Sequence, residues 1–561
     1  MNTSFPLTDF VMRISLDGRQ QISGDSSSDT LNELPLRQPI ASIGSSDTLA
    51  ITLKHSPTST FSVQASSPRL SGFKFAMAVA SLGILPFMSA VYATIATTYA
   101  PIGSKLGSQD FAEWIVGSYL VALAASQPLF AAITKLLGRL ESLYSAVLVF
   151  LVGSILCGLS TTVPMLIASR AIQGIGGAGL ASMPVAIIAE IAAEHMAGTY
   201  VGGFGAVYMA GLAIGPLIGS AAVHAKWELM FWASVPFTLA ALLTVAILLR
   251  IPRAQGTFAS RIARIDITGS LLFISGAVLL ALALLWGGRA FAWSSAQVVC
   301  PLAIGAAVLV LFILYEWKAA QTPLLPVRLV KSRNVAAASA SGLLLGFVIY
   351  HVVTATSKYA QVVGQASAVV SGAYLAALCA GVVLSAVASG LLVVWTGRCR
   401  EIIVAEAACV VLGSGLLIAL DAGSGPGKLV GFLFLCGLGL GGWIYTTNLL
   451  VHASVGSQHM AAVFSTCVSL GMMASAAVSS NVIQAVVRSL VTSRLGASPA
   501  VSDAISSVFS DLSLLSADGA PQPFADAFIT AYASAQRMGF IVLAAVAGLL
   551  FAVSFLFKRA E

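Results

Sequence analysis

Between Phe75 and Phe557 one apolar run follows another, each close to the length that crosses a bilayer. The runs fall at 75–99, 114–134, 143–160, 165–189, 200–222, 231–251, 267–286, 298–317, 335–356, 369–394, 402–420, 429–450, 461–487 and 540–557. About 20 apolar residues in a helix span the hydrocarbon core, so the pattern predicts an all-α membrane protein with fourteen spans. Composition supports this: 58% of residues are hydrophobic and 9% are charged, against about 25% charged in soluble domains. A water-soluble body of this size could not hide so much apolar surface. A soluble enzyme, a nucleic-acid binder and a disordered scaffold are thereby excluded.

Residues 1–74 read as a Ser/Thr-rich, disordered cytosolic tail. No apolar run there is long enough for a secretory signal. With the tail inside, the loops assigned to the cytosol hold 14 Lys and Arg, and the short loops opposite hold 5. That bias follows the positive-inside rule and puts both termini in the cytosol. The net charge of +7 is then a loop property and not a nucleic-acid footprint. Within 250–266, Arg250, Arg253, Arg261 and Arg264 suit a segment lying along the inner membrane surface. The stretch 488–539 reads as a long, mostly solvated non-cytosolic loop, with a partly helical cap as the less favoured reading. The seven cysteines show no CxxC pair and no metal-ligand spacing. No phosphate-binding loop points to an ATP-driven pump.

Three short stretches carry more information. Arg170-Ala-Ile-Gln173-Gly174-Ile-Gly176-Gly177 lies in the fourth span, where a guanidinium costs about 2.5–3.5 kcal/mol to insert unless it has a partner or a wet cavity. Gly211-Leu-Ala-Ile-Gly215-Pro216-Leu-Ile-Gly219 in the fifth span sets glycines at i, i+4 and i+8 on one helical ridge, with a proline that bends the helix. Gly138-Arg139 follows the second span.

Together these strings resemble the major facilitator superfamily, and within it the fungal drug:proton antiporters with fourteen spans. The resemblance runs from about residue 75 to 557. Trp114-Ile-Val, Trp227 to Pro236, Asp266-Ile-Thr-Gly269 and Trp286-Gly287-Gly288 add to it. It implies the major facilitator fold: two six-helix bundles, 75–251 and 335–561, with a linker at 252–334 carrying two extra central helices. Rocking of one bundle against the other would give alternating access around a mid-membrane site. Two departures stand out. The position that is usually acidic in the first span holds Tyr92. Ala131 and Lys135 replace the expected Gly and Asp of the loop motif, of which Gly138 and Arg139 remain.

The resemblance implies secondary active export of a small amphipathic organic molecule, such as a toxin, drug, secondary metabolite or glycolipid, in exchange for protons. Proton-coupling candidates are Arg170, Gln173, Glu190, His351 and Glu406, since ionisable groups inside a membrane are functional by default. For each acid an ordinary structural pairing competes: Glu190 with a loop cation, Glu406 with Arg398 or Arg400. Conformational positions are Gly138, Arg139, Gly174, Gly211, Gly215, Pro216 and Gly219. Cavity candidates are Tyr92, Gln127, Tyr208, Trp443, Tyr445 and Asn448. No cofactor, metal or nucleic-acid partner is expected, only a small-molecule substrate, protons and the bilayer. The cell membrane is the expected location. A vacuolar amino-acid importer and a non-transporting sensor of the same fold are the alternatives.

Overall fold

The computed structural model describes residues 72–94, 102–103, 105–107, 114–192, 194–224, 226–250, 266–288, 291–320, 332–421, 423–455, 457–477, 481–496, 498–510, 515 and 521–558. Residues 66–561 form one compact unit. The predicted tail, nearly all of the basic segment 250–266, and the side chains of Ala131 and Lys135 lie outside the described residues.

The described chain is helical throughout: α1 (Gly72–Thr94), α2 (Trp114–Leu137), α3 (Arg139–Gly158), α4 (Val163–Ile191), α5 (Glu194–His224), α6 (Glu228–Leu248), α7 (Ile267–Trp286), α8 (Ala296–Lys318), α9 (Arg333–Val362), α10 (Ala368–Thr396), α11 (Cys399–Leu417), α12 (Pro426–Val455), α13 (Ser457–Ala477), α14 (Ile483–Leu495), α15 (Pro499–Ser510) and α16 (Gln522–Ser554). Among the described residues twelve helices are long and apolar enough to cross a membrane. Each coincides with a predicted span. The two remaining spans, predicted at 402–420 and 461–487, overlap α11 and α13, which are not among the twelve. α11 carries Arg400, Glu401 and Glu406.

Local sequence explains several boundaries. Asp266 caps α7 by accepting from Gly269 N at 2.7 Å, so the Asp-x-x-Gly string is an N-cap. Ser367 caps α10 in the same way at 3.3 Å. That helix stops at Gly397, whose φ of +65° is the left-handed closure glycine accepts readily. The 488–539 expectation needs correction. It contains most of α14, all of α15 and the first half of α16, which begins at Gln522 and not near 540. Ala and Ser are compatible with helix, and Pro499 opens α15 while Pro521 precedes α16, positions where a missing N–H costs nothing.

Packing repeats itself along the chain. In the first set α1 packs on α4, α5 and α6, α2 on α4, and α3 on α4 and α6. In the second, α9 packs on α12, α13 and α16, α10 on α12, and α11 on α12 and α16. The two sets meet where α5 touches α10 and α12, and where α13 touches α2 and α4. α7 and α8 pack on each other, with α7 laid against α2 and α13.

The repeat holds residue by residue. A methyl group at Gly153 would stand 2.4 Å from Gln173 N, and one at Gly413 2.7 Å from Cys436 N. Gly176 meets Phe150 as Gly439 meets Val410; Gly174 meets Tyr119 O as Gly437 meets Leu378 O. Equivalent positions are thus 259 apart between α2 and α10 (Tyr119, Leu378), 260 between α3 and α11 (Gly153, Gly413) and 263 between α4 and α12 (Gly174, Gly437). Small residues at these crossings let backbones touch, which is how helices associate without a hydrophobic driving force.

Candidate functional site

Gly138, Ala192, Arg250 and Gly397 lie at one end of the helices, the near face, which the loop charges lead one to expect on the cytosolic side. A cavity of about 730 Å³ opens between the two helix sets, displaced toward this face. Pro86 of α1, Gln127 of α2, Ser182 and Val185 of α4, and Phe204, Tyr208 and Met209 of α5 line one side. Leu345 and Ile349 of α9, Ile444 and Asn448 of α12, and Phe464, Val468 and Ser469 of α13 line the other. Its described wall is apolar, interrupted by hydroxyl and amide groups, with no charged residue. Ser469 donates to Gln127 Oε1 at 2.8 Å, a bond that crosses between the sets.

Of the six cavity candidates, Gln127, Tyr208 and Asn448 line this space. Tyr92, Trp443 and Tyr445 do not, and the reason in each case is helix rotation. The Tyr92 hydroxyl donates to Met230 O on α6, and its ring packs edge-on against Phe150. Trp443 is fully buried and packs against Phe557. Tyr445 reaches across to the other set. Its ring lies where a side chain on Gly202 of α5 would be, 1.9 Å from that methyl position, and its hydroxyl is 3.3 Å from Thr199 Oγ1. Ile444 fills the equivalent space at Gly205.

Arg170 is wholly buried and has become a structural node. Its Nε donates to Ile115 O at 2.9 Å, Nη2 to Tyr92 O at 2.7 Å and Nη1 to Gln173 Oε1 at 2.6 Å. Gln173 in turn donates to Ser154 Oγ at 2.8 Å, and the guanidinium lies 4.3 Å from the Tyr119 ring centroid. The node therefore binds α1, α2, α3 and α4 together. Tyr92 is two residues from the end of α1, where helix carbonyls lack intrahelical donors; Arg170 supplies one. Around it Ser89 donates to Gly177 O at 2.8 Å and Tyr119 to Ser89 O at 2.8 Å.

The conformational positions divide. Arg139 forms an ion pair with Glu190, joining the start of α3 to the end of α4 at the near face. This uses the surviving half of the loop motif, and both side chains keep some exposure. Gly138 has a φ of +103°, a backbone state L side chains rarely adopt. In α5, Gly211 admits α1: a methyl there would stand 2.6 Å from Phe87 O. Gly215, Pro216 and Gly219 are also buried. Gly202 and Gly205 of α5, which carry no motif, admit side chains of the other helix set, as Gly372 of α10 admits Leu217. The signal for them was the cluster Gly202-Gly203-Phe-Gly205, roughly two turns before the longer motif.

His351 is buried in α9, its ring stacked on Phe347 with centroids 5.7 Å apart. Glu406 is buried as well, but it pairs with neither Arg398 nor Arg400. Its partners are hydroxyls: Ser389 Oγ of α10 at 2.5 Å and Thr446 Oγ1 of α12 at 2.6 Å. The proton-coupling candidates are therefore not gathered in one place. Arg170 and Gln173 share a node, while Glu190, His351 and Glu406 sit apart.

Comparison with known proteins follows the same lines. The profile of the Major Facilitator Superfamily matches residues 79–478. The chain is 33% identical over 368 residues to the efflux pump dotC of Dothistroma septosporum strain NZE10, covering 65% of this chain and 63% of dotC. It is 31% identical over 388 residues to the efflux pump FUS6 of Gibberella fujikuroi, covering 68% and 69%. It is 28% identical over 390 residues to the acurin A biosynthesis cluster MFS-type transporter of Aspergillus aculeatus, covering 69% and 70%. The chain thus spans somewhat under two thirds of dotC. A solved structure concerned with substrate recognition in proton-dependent oligopeptide transporters superposes with a TM-score of 0.54 at 10% identity, over 87% of this chain and all of that one; it shares the fold. With that profile match over most of the length and twelve membrane-length helices in this arrangement, the chain is a multi-pass membrane protein that belongs to the major facilitator superfamily.

Proposed function

We propose that this chain is a secondary active exporter of a small amphipathic organic molecule, a toxin, drug or secondary metabolite, driven by proton antiport across the cell membrane. The observation that carries the reading is the cavity wall. Apolar side chains punctuated by Gln127, Ser182, Tyr208, Asn448 and Ser469, without a charged group, suit a cargo with a large apolar body and a few hydrogen-bonding groups. A glycolipid is one such class. The efflux pumps and the biosynthesis-cluster transporter named above are similar proteins whose names point the same way.

Alternating access would proceed by rocking of α1–α6 against α9–α13 and α16. Closing the near face needs Tyr445 and Ile444 seated in the notches at Gly202 and Gly205, and opening it withdraws them. A vacuolar importer of amino acids would need a counter-charge for its cationic cargo, and the described wall supplies none. A non-transporting sensor could bind a ligand in the same cavity, and movement of cargo across the membrane is what separates it from an exporter.

The test is untargeted mass spectrometry of medium and cell extract from the source organism with and without the gene. Loss of one metabolite from the medium, with its build-up in cells, is the expected result and names the cargo. Unchanged medium with a fall in vacuolar amino acids would replace exporter by importer. No change in either would favour the sensor.

A further inference from the structure

The two halves of the chain repeat one another, and at one place the second half is polar where the first is apolar. Applying the offsets above, Phe130 of α2 corresponds to Ser389 of α10, Ala146 of α3 to Glu406 of α11, Gly179 of α4 to Gly442 of α12, and Met183 to Thr446. The contacts agree. A methyl at Gly179 would meet Ala146 Cβ at 2.3 Å and the Phe130 ring at 2.9 Å; one at Gly442 would meet Glu406 Oε1 at 2.2 Å and Ser389 Oγ at 2.5 Å. The first half fills the space with a phenylalanine, an alanine and a methionine. The second fills it with a carboxyl and two hydroxyls.

Such a substitution is costly in apolar surroundings unless the polar groups are paired. Here the two hydroxyls pair with the carboxyl. Glu406 is 5% exposed, Ser389 4% and Thr446 fully buried. No cation among the described residues forms an ion pair with Glu406. On its own helix the groups within electrostatic reach are the thiols of Cys399 and Cys409. α10 and α12 face it with the hydroxyls, and among the described residues no charged group of α16 pairs with it. Glu401 stands in the first turn of α11, and Tyr445 sends its ring toward α5.

The geometry accommodates the carboxyl in both of its protonation states. Thr446 Oγ1 lies 2.6 Å from Glu406 Oε2 and 2.9 Å from Gly442 O. A hydroxyl has one hydrogen and can also accept. When Glu406 is ionised, Thr446 and Ser389 both donate to it. When Glu406 carries a proton on Oε2, Thr446 accepts that proton's bond and turns its own hydrogen to Gly442 O. Neither state strands a polar atom, and the change needs only one hydroxyl rotation.

We infer that Glu406, held by Ser389 and Thr446 in the room left by Gly442, is a site that binds and releases a proton. Water supplies the proton when one helix arrangement wets the carboxyl, and water takes it back in another. The site rests on the same helices as the near-face contact. Ser389 precedes Gly390, where a methyl would stand 3.3 Å from the Tyr445 hydroxyl, and Thr446 follows Tyr445. The inference deepens the proton-antiport reading proposed above by giving it a residue.

The test uses the full chain as wild type, as Glu406→Gln, and as the triple variant Ser389→Phe/Glu406→Ala/Thr446→Met. Each is purified and reconstituted into liposomes with no cargo present. Infrared difference spectra between acid and alkaline buffer read carboxyl protonation directly. The wild type is expected to show a buried carboxylic-acid band that disappears as pH rises, worth one proton per chain, and both variants to lack it. The triple variant copies packing the other half already uses, so it serves if Glu406→Gln does not fold. A wild-type spectrum without that band, or the same band in the variants, overturns the inference. So does a band that follows sodium at fixed pH, which would make this a metal-cation site. Because no cargo is involved, a wild type that titrates as expected but exports nothing would sink the exporter reading alone.

Discussion

The Tyr445 ring of α12 occupies the space that a side chain on Gly202 of α5 would fill. One residue from each helix set thus defines the near-face contact, and the aromatic member lies beside the Thr446 that holds Glu406.

Gly202→Val should prevent that contact from closing. Overpacking of a tight site costs about 1–3 kcal/mol, which corresponds to a loss of roughly 5- to 150-fold in the closed population. Tyr445→Ala should restore part of the loss. Transport rates of the two single variants and the double variant form a cycle; additive losses would show that the two residues do not act as a pair.

Arg170→Ala removes three charge-assisted hydrogen bonds and a ring contact at once. Each such bond contributes about 1.5–3 kcal/mol, so thermal unfolding of the purified protein should fall sharply and export should be lost. Arg170→Lys should not rescue either, because an ammonium cannot span the same three acceptors as a planar fork. A lysine variant as stable as wild type would remove the node from this account.

The Arg139–Glu190 pair retains exposure on both side chains, 20% and 35%, and solvent screening limits its worth to about 1 kcal/mol or less. Glu190→Gln should leave the unfolding temperature nearly unchanged. If the pair matters, it does so for conformational balance. The exchange Arg139→Glu/Glu190→Arg should then transport better than either single reversal, measured as uptake into inside-out vesicles.

Gln127→Leu deletes the acceptor that Ser469 uses across the cavity. The wall becomes more apolar and a buried hydroxyl loses its partner, at a cost of about 1–3 kcal/mol. Cargo with more hydrogen-bonding groups should lose affinity relative to cargo with fewer. Competition assays with a graded series of amphiphiles would show this as a changed rank order; an unchanged order means cargo does not touch Gln127.

Gly442→Ala offers a stability comparison with its repeat partner. The new methyl would collide with the Glu406 carboxyl and Ser389 hydroxyl, whereas at Gly179 it would collide with Ala146 and Phe130. Both substitutions should lower the unfolding temperature. Only the first should be relieved by Glu406→Ala, which unfolding curves of the double variant would report.

The chain announces its membrane class through local features alone. Apolar runs of helix-crossing length, scarce charge, and strings such as Arg170 to Gly177 and Gly211 to Gly219 are properties of neighbouring residues, and lipid leaves few ways to satisfy them. That is why the helices, their order and the family were readable without coordinates. Which face of a helix meets which neighbour was not, because one residue along an α-helix turns a side chain by about a quarter of a circle. So Tyr92, Trp443 and Tyr445 read as cavity aromatics and lie elsewhere, while Gly202 and Gly205 passed unnoticed until Tyr445 and Ile444 were seen to fill them. Arg170 advertised its own cost, yet only packing shows that backbone carbonyls of α1 and α2 receive it. Glu406 looked ready to pair with an arginine at the start of its helix. Burial between α10 and α12 gave it two hydroxyls instead, a choice made by residues far from it in the chain.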